Sequence, residues 1–422
     1  MPDIKIGCVA DDFTGASDIA SFFKTAGMET LLINELPEPD LFISEETDCI
    51  VIALKTRTME TEEAVRQSME AFNWLNEIGA EKLYFKYCST FDSTSKGNIG
   101  PVTDAVLETF DIPYTVLCPS LPVNGRTVKD GILYVNGIPL HESHMKDHPL
   151  TPMKKSAIAE LMKGQGKYQC SIIDRETLYG NSDSFVKLLS EKEPPFYLIP
   201  DYYEEDHGIQ IAKVLKDCRF FTGGSGLGGA LAQILVDQKT KGETIESHPV
   251  YTEGKGLILA GSCSAITLQQ IADFIDKGYP SYRIDPKKLI SGEENAEHIW
   301  YWIENQTKTP LIYSSASAKE VEDNQQYGRE RVALAIEKLL SGLAAAAVEA
   351  GRTRIIVAGG ETSGAVTKAL GFETFYISKS LAPGVPVMIP LKESTVRLVL
   401  KSGNFGQIDF FDRAVKMTKK EN

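Results

Sequence analysis

The stretch IIVAGGETSGAVTKAL, residues 355–370, carries an apolar strand directly into a glycine-rich junction and then into a helix. Two successive glycines permit backbone angles and close approaches to a ligand that other residues disfavour. Thr362 or Ser363 can cap a helix that we expect to begin near Gly364, and the free N–H groups of a helix start attract anions. The pattern therefore fits a phosphate site and an ordinary strand-to-helix turn equally well.

Two further loops of the same kind strengthen the phosphate interpretation. AGSCSAIT (260–267) runs from a strand through glycine and serine hydroxyls into a helix, and KSGNFG (401–406) follows the last apolar strand, RLVL. Ligands of open α/β sheets bind at the carboxyl ends of the strands, so three such loops together favour a nucleotide. Glu361 would repel a phosphate unless Mg²⁺ or a nearby donor compensates its charge.

The rest of the chain alternates in the same way. Apolar runs such as IKIGCVA (4–10), KLYFKYC (82–88) and FYLIPD (196–201) are separated by amphipathic helical patterns, which predicts βαβ layers with a mainly parallel sheet. A chain of 422 residues exceeds the size of a single hydrophobic core. We expect two α/β domains with an interdomain cleft: 1–236, a polar linker at 237–255, and 256–422. Asp-Gly and Asn-Gly pairs also predict a β-hairpin near residues 127–140.

Composition limits the partners. The net charge of −14 and pI of about 5.1 oppose binding to nucleic acid or to an anionic membrane surface. No apolar run approaches the roughly 20 residues of a membrane span. We therefore expect a cytoplasmic protein whose partners are small molecules or further copies of itself, so that a homo-oligomer is possible.

Cysteine and histidine do not indicate a metal site. The 7 cysteines are scattered without C-x-x-C pairs and are expected to be reduced, mostly buried thiols. The segment HESHMKDHP (141–149) places three histidines close together, but a polar loop explains it better than a metal site. We predict no protein-bound metal centre.

GGSGLGG (223–229) contains the spacing G-x-G-x-x-G of dinucleotide-binding proteins. The helix after it leads into the polar linker instead of a second strand with an acidic end, so the required βαβ context is missing. We expect this segment to pack a helix tightly or to face the interdomain cleft. An oxidoreductase is nevertheless kept as a rival hypothesis.

Polar side chains follow three strands of the predicted N-terminal domain, in VADDFTGASDIA (9–20), ALKTRT (53–58) and FKYCSTFDSTSKGNIGPV (85–102). Carboxylates accept hydrogen bonds from sugar hydroxyls, and lysine or arginine neutralises a carboxylate. These types of side chain predict a site for a polyhydroxylated acid. The candidate substrate residues are Asp11, Asp12, Arg57, Lys86, Ser89, Asp92, Lys96 and Asn98.

Eight motifs in order resemble the four-carbon acid sugar kinase family, and among its members the 3-oxo-tetronate kinases. They are ADDFTGASDIA (10–20), KYCSTFDSTSKGNIGPVTDA (86–105), CPSLPVNGRTV (118–128), HPLTPM (148–153), GGSGLG (223–228), GSCSAIT (261–267), VAGGETSGAV (357–366) and APGVP (382–386). The resemblance implies an N-terminal substrate domain, a C-terminal ATP-binding domain, and transfer of the γ-phosphoryl group to the 4-hydroxyl of a 3-oxo-tetronate with Mg²⁺ present. It implies ATP contacts at Ser262 or Ser264, Gly360, Glu361, Thr362, Ser363 and Gly403.

Several alternatives stay open at this point. A D-threonate or D-erythronate 4-kinase of the same family shares the outline of the motifs, and a non-catalytic sensor would use the same binding residues. Asp92 or Asp12 is the candidate base that accepts the hydroxyl proton, because each follows the end of a strand.

Overall fold

The computed structural model describes residues 2–38, 41–147, 151–180, 182–236, 248–316 and 328–420. The chain divides into two compact units, Met1–Gly242 and Glu243–Asn422. Residues 237–247 of the predicted linker lie outside the described residues, and the predicted domain bounds stay a prediction. No helix within the described ranges is long and apolar enough to cross a bilayer.

The first unit contains a large sheet and a small one. Its strands are β1 Ile6–Ala10, β2 Thr30–Asn34, β3 Cys49–Ala53, β4 Lys82–Lys86, β5 Tyr114–Cys118, β6 Arg126–Lys129, β7 Ile132–Val135, β8 Ile138–Pro139, β9 Gln169–Ile173, β10 Phe196–Pro200 and β11 Phe220–Gly223. Its α-helices are α1 Phe13–Ala26, α2 Thr61–Glu77, α3 Ile99–Thr109, α4 Ile158–Met162, α5 Arg175–Tyr179, α6 Ser182–Ser190, α7 Glu205–Val214 and α8 Ser225–Leu235.

The large sheet has the order β2-β3-β1-β4-β11-β5-β10-β9 in this unit, and each of these pairings is parallel. Every residue of β1, β3, β4 and β10 is buried. Helices on both faces of a parallel sheet bury its strands in this way, which explains their nearly continuous apolar sequences. The carboxyl ends of all eight strands meet at one edge of the sheet.

The connections of this sheet diverge between β1 and β4. The chain leaves β1 through α1 toward β2 on one side, whereas it leaves β4 through α3 toward β5 on the other side. Two neighbouring parallel strands with opposite exits leave an open crevice at their carboxyl ends, where α/β proteins bind ligands. Asp11 and Lys86 lie at this crevice.

The glycine-rich segment 223–229 packs one helix onto another. A Cβ atom at Gly228 would lie 2.7 Å from Ile19 Cδ1, and one at Gly229 would lie 2.9 Å from Phe22 Cδ1, so both glycines let α8 approach α1 closely. Gly223 has a φ of +157°, and a Cβ there would lie 2.1 Å from the carbonyl oxygen of Cys118. A Cβ at Gly224 would lie 2.7 Å from the Pro119 carbonyl oxygen, and one at Gly226 would lie 2.6 Å from that of Ser120. Close packing therefore accounts for the spacing of the glycines without a dinucleotide.

The predicted hairpin is confirmed as the small sheet β6-β7-β8, whose pairings are antiparallel. Asp130-Gly131 and Asn136-Gly137 form its turns, and all four residues have positive φ. Positive φ at both central residues is the geometry of type I′ turns, which explains the preference for Asp-Gly and Asn-Gly.

The second unit contains one sheet. Its strands are β12 Gly256–Ala260, β13 Ser281–Arg283, β14 Leu311–Tyr313, β15 Arg354–Ala358, β16 Thr374–Ala382, β17 Val385–Pro390 and β18 Arg397–Lys401. Its described α-helices are α9 Ala265–Asp276, α10 Pro286–Ser291, α11 Ala296–Glu304, α12 Arg329–Glu349, α13 Gly360–Leu370 and α14 Phe410–Met417.

The order of this sheet within the unit is β13-β14-β12-β15-β18-β17-β16. The pairings from β13 to β18 are parallel, and β17 is antiparallel to both of its neighbours. The chain leaves β12 through α9 toward β13, whereas it leaves β15 through α13 toward β16 on the other side. The second unit therefore has a crevice of the same kind, between β12 and β15.

The predicted α/β class with mainly parallel sheets is confirmed. Two parts of it were missed. The first is strand β2, which follows α1 after a short loop. The second is the long antiparallel pair β16–β17, which interrupts the βαβ alternation that the sequence pattern suggests.

Candidate functional site

Three loops of the second unit meet at the carboxyl ends of the adjacent strands β12, β15 and β18. The Gly261 and Ser262 N–H groups both donate to the Ala358 carbonyl at the end of β15, at 3.0 and 3.2 Å. The Gly359 N–H donates to the Lys401 carbonyl at the end of β18, at 2.9 Å. The three glycine loops predicted from sequence thus form one connected cluster.

Helix α13 begins at Gly360, and the prediction of a start near Gly364 is wrong. Gly359 turns the chain at once, since its φ of +128° is a backbone conformation that favours glycine. Thr362 and Ser363 consequently lie within the first turn and cap nothing: the helix has no side-chain cap hydrogen bond. Its first N–H groups therefore keep their capacity to bind an anion.

Ser264 is committed to the fold of the loop. Its hydroxyl accepts from the Thr267 N–H at 3.2 Å, which caps α9, and donates to the Gly403 carbonyl at 2.6 Å. The hydroxyl of Ser262 accepts from the Ser264 N–H at 3.2 Å. Of the two serines left open by the sequence, Ser262 has the hydroxyl less occupied by structural hydrogen bonds.

Glycines bring these loops together. A Cβ at Gly261 would lie 2.2 Å from Thr362 Oγ1, and one at Gly403 would lie 2.3 Å from Ser262 Oγ. A Cβ at Gly360 would meet no heavy atom within 4 Å. Gly360 thus has open space where the neighbouring glycines are crowded by other loops.

Lys401, at the end of β18, is 1% exposed and has no carboxylate partner among the described residues. Its ammonium donates to Thr267 Oγ1 at 3.0 Å and to the carbonyls of Ser402 and Gly403 at 3.1 Å each. Burial lowers the pKa of Lys401 to about 8. A buried cation thus fixes the backbone of the loop that carries Gly403.

Two carboxylates accompany the start of α13. Glu361 lies exposed in its first turn, and Glu337 of α12 is near enough that burial and the charge of Glu361 raise the pKa of Glu337. Ser363 is buried, and its hydroxyl has no hydrogen-bond partner. This helix start therefore combines free N–H groups with oxygen ligands of the kind that Mg²⁺ prefers.

In the first unit, Arg57 links the two aspartates after β1. Its Nε and Nη2 donate to the two carboxylate oxygens of Asp11 at 2.9 and 2.8 Å, and Nη2 lies 3.0 Å from Asp12 Oδ1. Asp12 Oδ1 also accepts from the Gly15 N–H at 2.7 Å and caps α1. Burial raises the pKa of Asp11, and the charge of Arg57 acts in the opposite direction. Arg57 is thus largely occupied by protein carboxylates.

Lys86 and Asp18 are two further buried ionisable residues near the crevice, and the Lys86 ammonium donates to the Tyr87 carbonyl at 3.1 Å. Lys86 is 3% exposed, and a Cβ at Gly15 would lie 3.0 Å from its ammonium nitrogen. Asp18 accepts from the Ser225 hydroxyl at 2.5 Å, while its Oδ1 has no hydrogen-bond partner. Burial raises the pKa of Asp18, whereas the positive charge of Lys86 and the hydrogen bond from Ser225 act to lower it.

The loop after β4 carries Asp92, which is half-buried and accepts from the Thr90 hydroxyl at 2.6 Å. Thr90 also contacts Cys88 Sγ at 2.9 Å. Burial, together with the charge of Asp92, raises the pKa of Cys88 to about 11, so this thiol is protonated at neutral pH. Ser89 is half-buried, whereas Lys96 is exposed.

Asn98 positions the loop that carries Arg57. It is 5% exposed, and its amide donates to the carbonyls of Thr56 and Met59 at 2.7 and 2.9 Å. Its Oδ1 is buried without a partner.

Among the predicted residues, the structure brings together Asp11, Asp12, Arg57 and Lys86 in the first unit. In the second it brings together Ser262, Ser264 and Gly403, and it places Gly360, Glu361, Thr362 and Ser363 in the first turn of α13 beside them. Sequence reasoning missed Asp18, Ser225, Thr267 and Lys401. The sequence did carry a signal for two of them, because each is a charged residue in a mostly apolar run: Asp18 in GASDIASFF (15–23) and Lys401 in RLVLK (397–401). All the assigned roles stay predictions.

The histidine segment 141–149 falls partly outside the described residues, which exclude 148–150 and therefore His148. His141 Nδ1 lies 2.7 Å from the hydroxyl of Ser156. In the described ranges, one group of three side chains could hold a metal ion, Glu204, Asp206 and His207. All seven cysteines are free.

Comparison with known proteins gives the class of protein that these two crevices define. Residues 6–231 match the model of a sugar-binding N-terminal domain, and residues 257–411 match that of a nucleotide-binding C-terminal domain. The chain therefore belongs to the family that joins these two domains, the four-carbon acid sugar kinases.

Curated relatives within this family carry a more particular name. A 3-oxo-tetronate kinase of Salmonella typhimurium LT2 is 42% identical over 97% of this chain and 98% of its own length. The 3-oxo-tetronate kinase of Escherichia coli K12 is 40% identical over 90% of this chain and 99% of its own.

Two solved structures share the fold. A Salmonella typhimurium LT2 protein has a TM-score of 0.90 at 42% identity and covers 98% of this chain and 99% of its own. It was provisionally described as a tRNA synthase. The Haemophilus influenzae protein HI1011 has a TM-score of 0.83 at 39% identity and covers 97% of this chain and 99% of its own.

We expect Lys401 to make the free energy of unfolding depend on pH in the alkaline range. Its pKa falls from 10.5 in the unfolded chain to about 8 in the folded protein, so between these values the unfolded state binds more protons. The free energy of unfolding should therefore rise with pH in this window, by up to about 3 kcal/mol relative to a Lys401→Met variant. Denaturant unfolding of both proteins from pH 7.5 to 10.5 measures the difference, and parallel pH curves would contradict it.

Proposed function

We propose that this protein is an ATP-dependent kinase that transfers a phosphoryl group to the 4-hydroxyl of a four-carbon sugar acid, most specifically a 3-oxo-tetronate. The observation that carries the proposal is the full-length relationship to curated 3-oxo-tetronate kinases, with both family domains in order. A tRNA-directed activity is disfavoured, because a net charge of −14 opposes binding to a polyanion. We expect the enzyme to be cytoplasmic.

On the nucleotide side, the uncapped start of α13 would hold the phosphates. Its N–H groups and helix dipole suit an anion, and Gly360 leaves room for one. Ser262, Thr362, Ser363 and Gly403 would complete the contacts around it. Ser264 would act through the fold of the loop, because its hydroxyl already bonds to Gly403.

Mg²⁺ fits this helix start, since Glu361 lies in its first turn and Glu337 is near enough for the charge of Glu361 to raise its pKa. When bound, the ion would neutralise charge on the transferring phosphates. It would also remove the repulsion between Glu361 and a phosphate. The protein's own contribution is to orient the nucleotide through main-chain N–H groups.

On the substrate side, the crevice between β1 and β4 would hold the acid. The carboxylates of Asp12 and Asp92 can accept hydrogen bonds from sugar hydroxyls, and Ser89 adds a hydroxyl at the same strand end. Arg57 is engaged by Asp11, so Lys86 and the exposed Lys96 are the better partners for the carboxylate of the substrate. Arg57 and Asn98 would position the loops.

Transfer requires the hydroxyl oxygen and the γ-phosphorus to meet in line, and the loose transition state leaves alignment and charge stabilisation as the main tasks of the protein. We assign proton acceptance to Asp92. Asp12 Oδ1 already binds the Gly15 N–H and Arg57, which ties it to helix capping. Asp92 accepts from one hydroxyl, that of Thr90.

A screen of ADP release tests the activity. We expect turnover with 3-oxo-tetronates to exceed turnover with D-threonate and D-erythronate by at least tenfold in kcat/KM. Faster turnover of threonate or erythronate would instead support the alternative kinase of the same family. If ADP forms with none of these acids while nucleotide binds, the protein is a sensor and the proposal fails.

Gly360→Ala tests the phosphate contact. No heavy atom of the free protein lies within 4 Å of the added methyl group, so folding should be unaffected. A phosphate against this backbone would be displaced, and we expect the KM for ATP to rise about tenfold, or about 1.4 kcal/mol of binding. Gly364→Ala is the matched control, since its methyl group also meets nothing within 4 Å in the same helix. Equal KM values for the two variants would exclude this contact.

Asp92→Asn tests the base. We expect kcat to fall about 100-fold or more with a small change in the KM of the acid, because a carboxamide cannot accept the proton. We expect Asp12→Asn to lower kcat by less than tenfold, since asparagine caps a helix as well as aspartate does. Asp174→Asn, at the similarly capped start of α5, is the control for altering a cap. Unchanged kcat in Asp92→Asn would remove Asp92 from this role.

A further inference from the structure

A second polar cavity lies in the nucleotide-binding unit, away from the glycine loops. It has a volume of about 680 Å³, within the range of small-molecule sites. Gly256 and Arg354, the first residues of β12 and β15, line it. The glycine loops follow the last residues of the same strands, about 16 Å away for five residues of extended chain. The cavity therefore belongs to the opposite edge of the sheet.

The cavity is strongly cationic in a chain whose net charge is −14. Seven lysine or arginine side chains and two carboxylates line it. Both carboxylates are engaged: Glu253 lies 2.7 Å from Lys420, and Asp412 lies 2.9 Å from Lys416 and accepts from the hydroxyl of Tyr279 at 2.9 Å. A surplus of positive charge remains.

Two of the cations are buried. Arg352 and Arg354 are each 5% exposed, and neither forms an ion pair within the described part of the chain. Arg352 donates to the carbonyls of Gly256 and Ile303 at 3.0 and 3.1 Å. Arg354 donates through Nε and Nη1, and its Nη2 has no partner among the described residues. A buried guanidinium is normally matched by an anion.

Helix dipoles account for part of this arrangement. The carboxyl ends of α9, α11, α12 and α14 all adjoin the cavity, and Arg352 and Arg354 bind carbonyls of α11 and α14. Each helix end contributes about half a negative charge, hence about two charges from four helices. The side chains supply a net of about five positive charges, so the dipoles leave most of it uncompensated.

We propose that this cavity binds a small polyanion that carries two or more phosphate or carboxylate groups, at a site separate from the nucleotide loops. Arg352 and Arg354 form its floor, and Lys255, Lys308 and Lys419 form an exposed rim that can close on the anion. The site is distinct from the proposed catalytic crevices and does not depend on the kinase activity.

Calorimetric titration with inorganic pyrophosphate, without metal, tests the site, and variants of the rim separate this binding from binding at the nucleotide loops. We expect binding to the wild-type protein, and at least a tenfold loss of affinity in the triple variant Lys255→Gln, Lys308→Gln and Lys419→Gln. The corresponding arginine variant should retain binding. A matched triple variant on exposed lysines of the same unit, Lys338→Gln, Lys368→Gln and Lys392→Gln, should change affinity by less than twofold.

Thermal unfolding without ligand verifies that the variants fold, which is expected because the three rim lysines are exposed. A parallel titration with citrate distinguishes the source of the anionic groups: tighter binding of pyrophosphate indicates phosphates, and tighter binding of citrate indicates carboxylates. Absence of binding for both probes would overturn the proposal. Equal affinity in the rim and control variants would overturn it as well.

Discussion

Neighbouring parallel strands whose connections leave in opposite directions cannot have both carboxyl ends covered by their own helices. Each unit of this protein contains one such pair, β1 with β4 and β12 with β15, and the polar loops follow these pairs. The gap exists because of strand order alone, before any side chain is placed in it. The chemistry of each unit then depends on which residues follow those four strands.

The two gaps differ in the polar groups that line them. In the first unit, ionisable side chains face one another: Arg57 joins Asp11 and Asp12, and the charge of Lys86 acts on Asp18. In the second, main-chain N–H groups and hydroxyls dominate, and a buried ammonium supports them from below. A site of balanced charges can exchange one partner for a charged substrate group, whereas neutral donors accommodate the larger charge of a polyphosphate.

Strand positions were predictable because a buried parallel strand is marked by its own sequence, an apolar run flanked by glycine and polar residues. The start of α13 was misplaced, since the φ of Gly359 depends on the strands that meet it and not on the capping tendency of Thr362 or Ser363. The hydrogen bond between Ser225 and Asp18 joins residues that are 207 positions apart, and no local sequence pattern predicts such a contact. Strand order, and therefore the location of both gaps, is equally non-local.

Strand β11 is the last strand of its unit to be synthesised, yet it pairs with β4 on one side and β5 on the other. About 100 residues separate it from β5, which at about 5–20 residues per second delays it by roughly 5–20 s on the ribosome. Until then both neighbours present open hydrogen-bonding edges that invite aggregation. The nascent chain therefore exposes two unpaired strand edges, those of β4 and β5, during that interval.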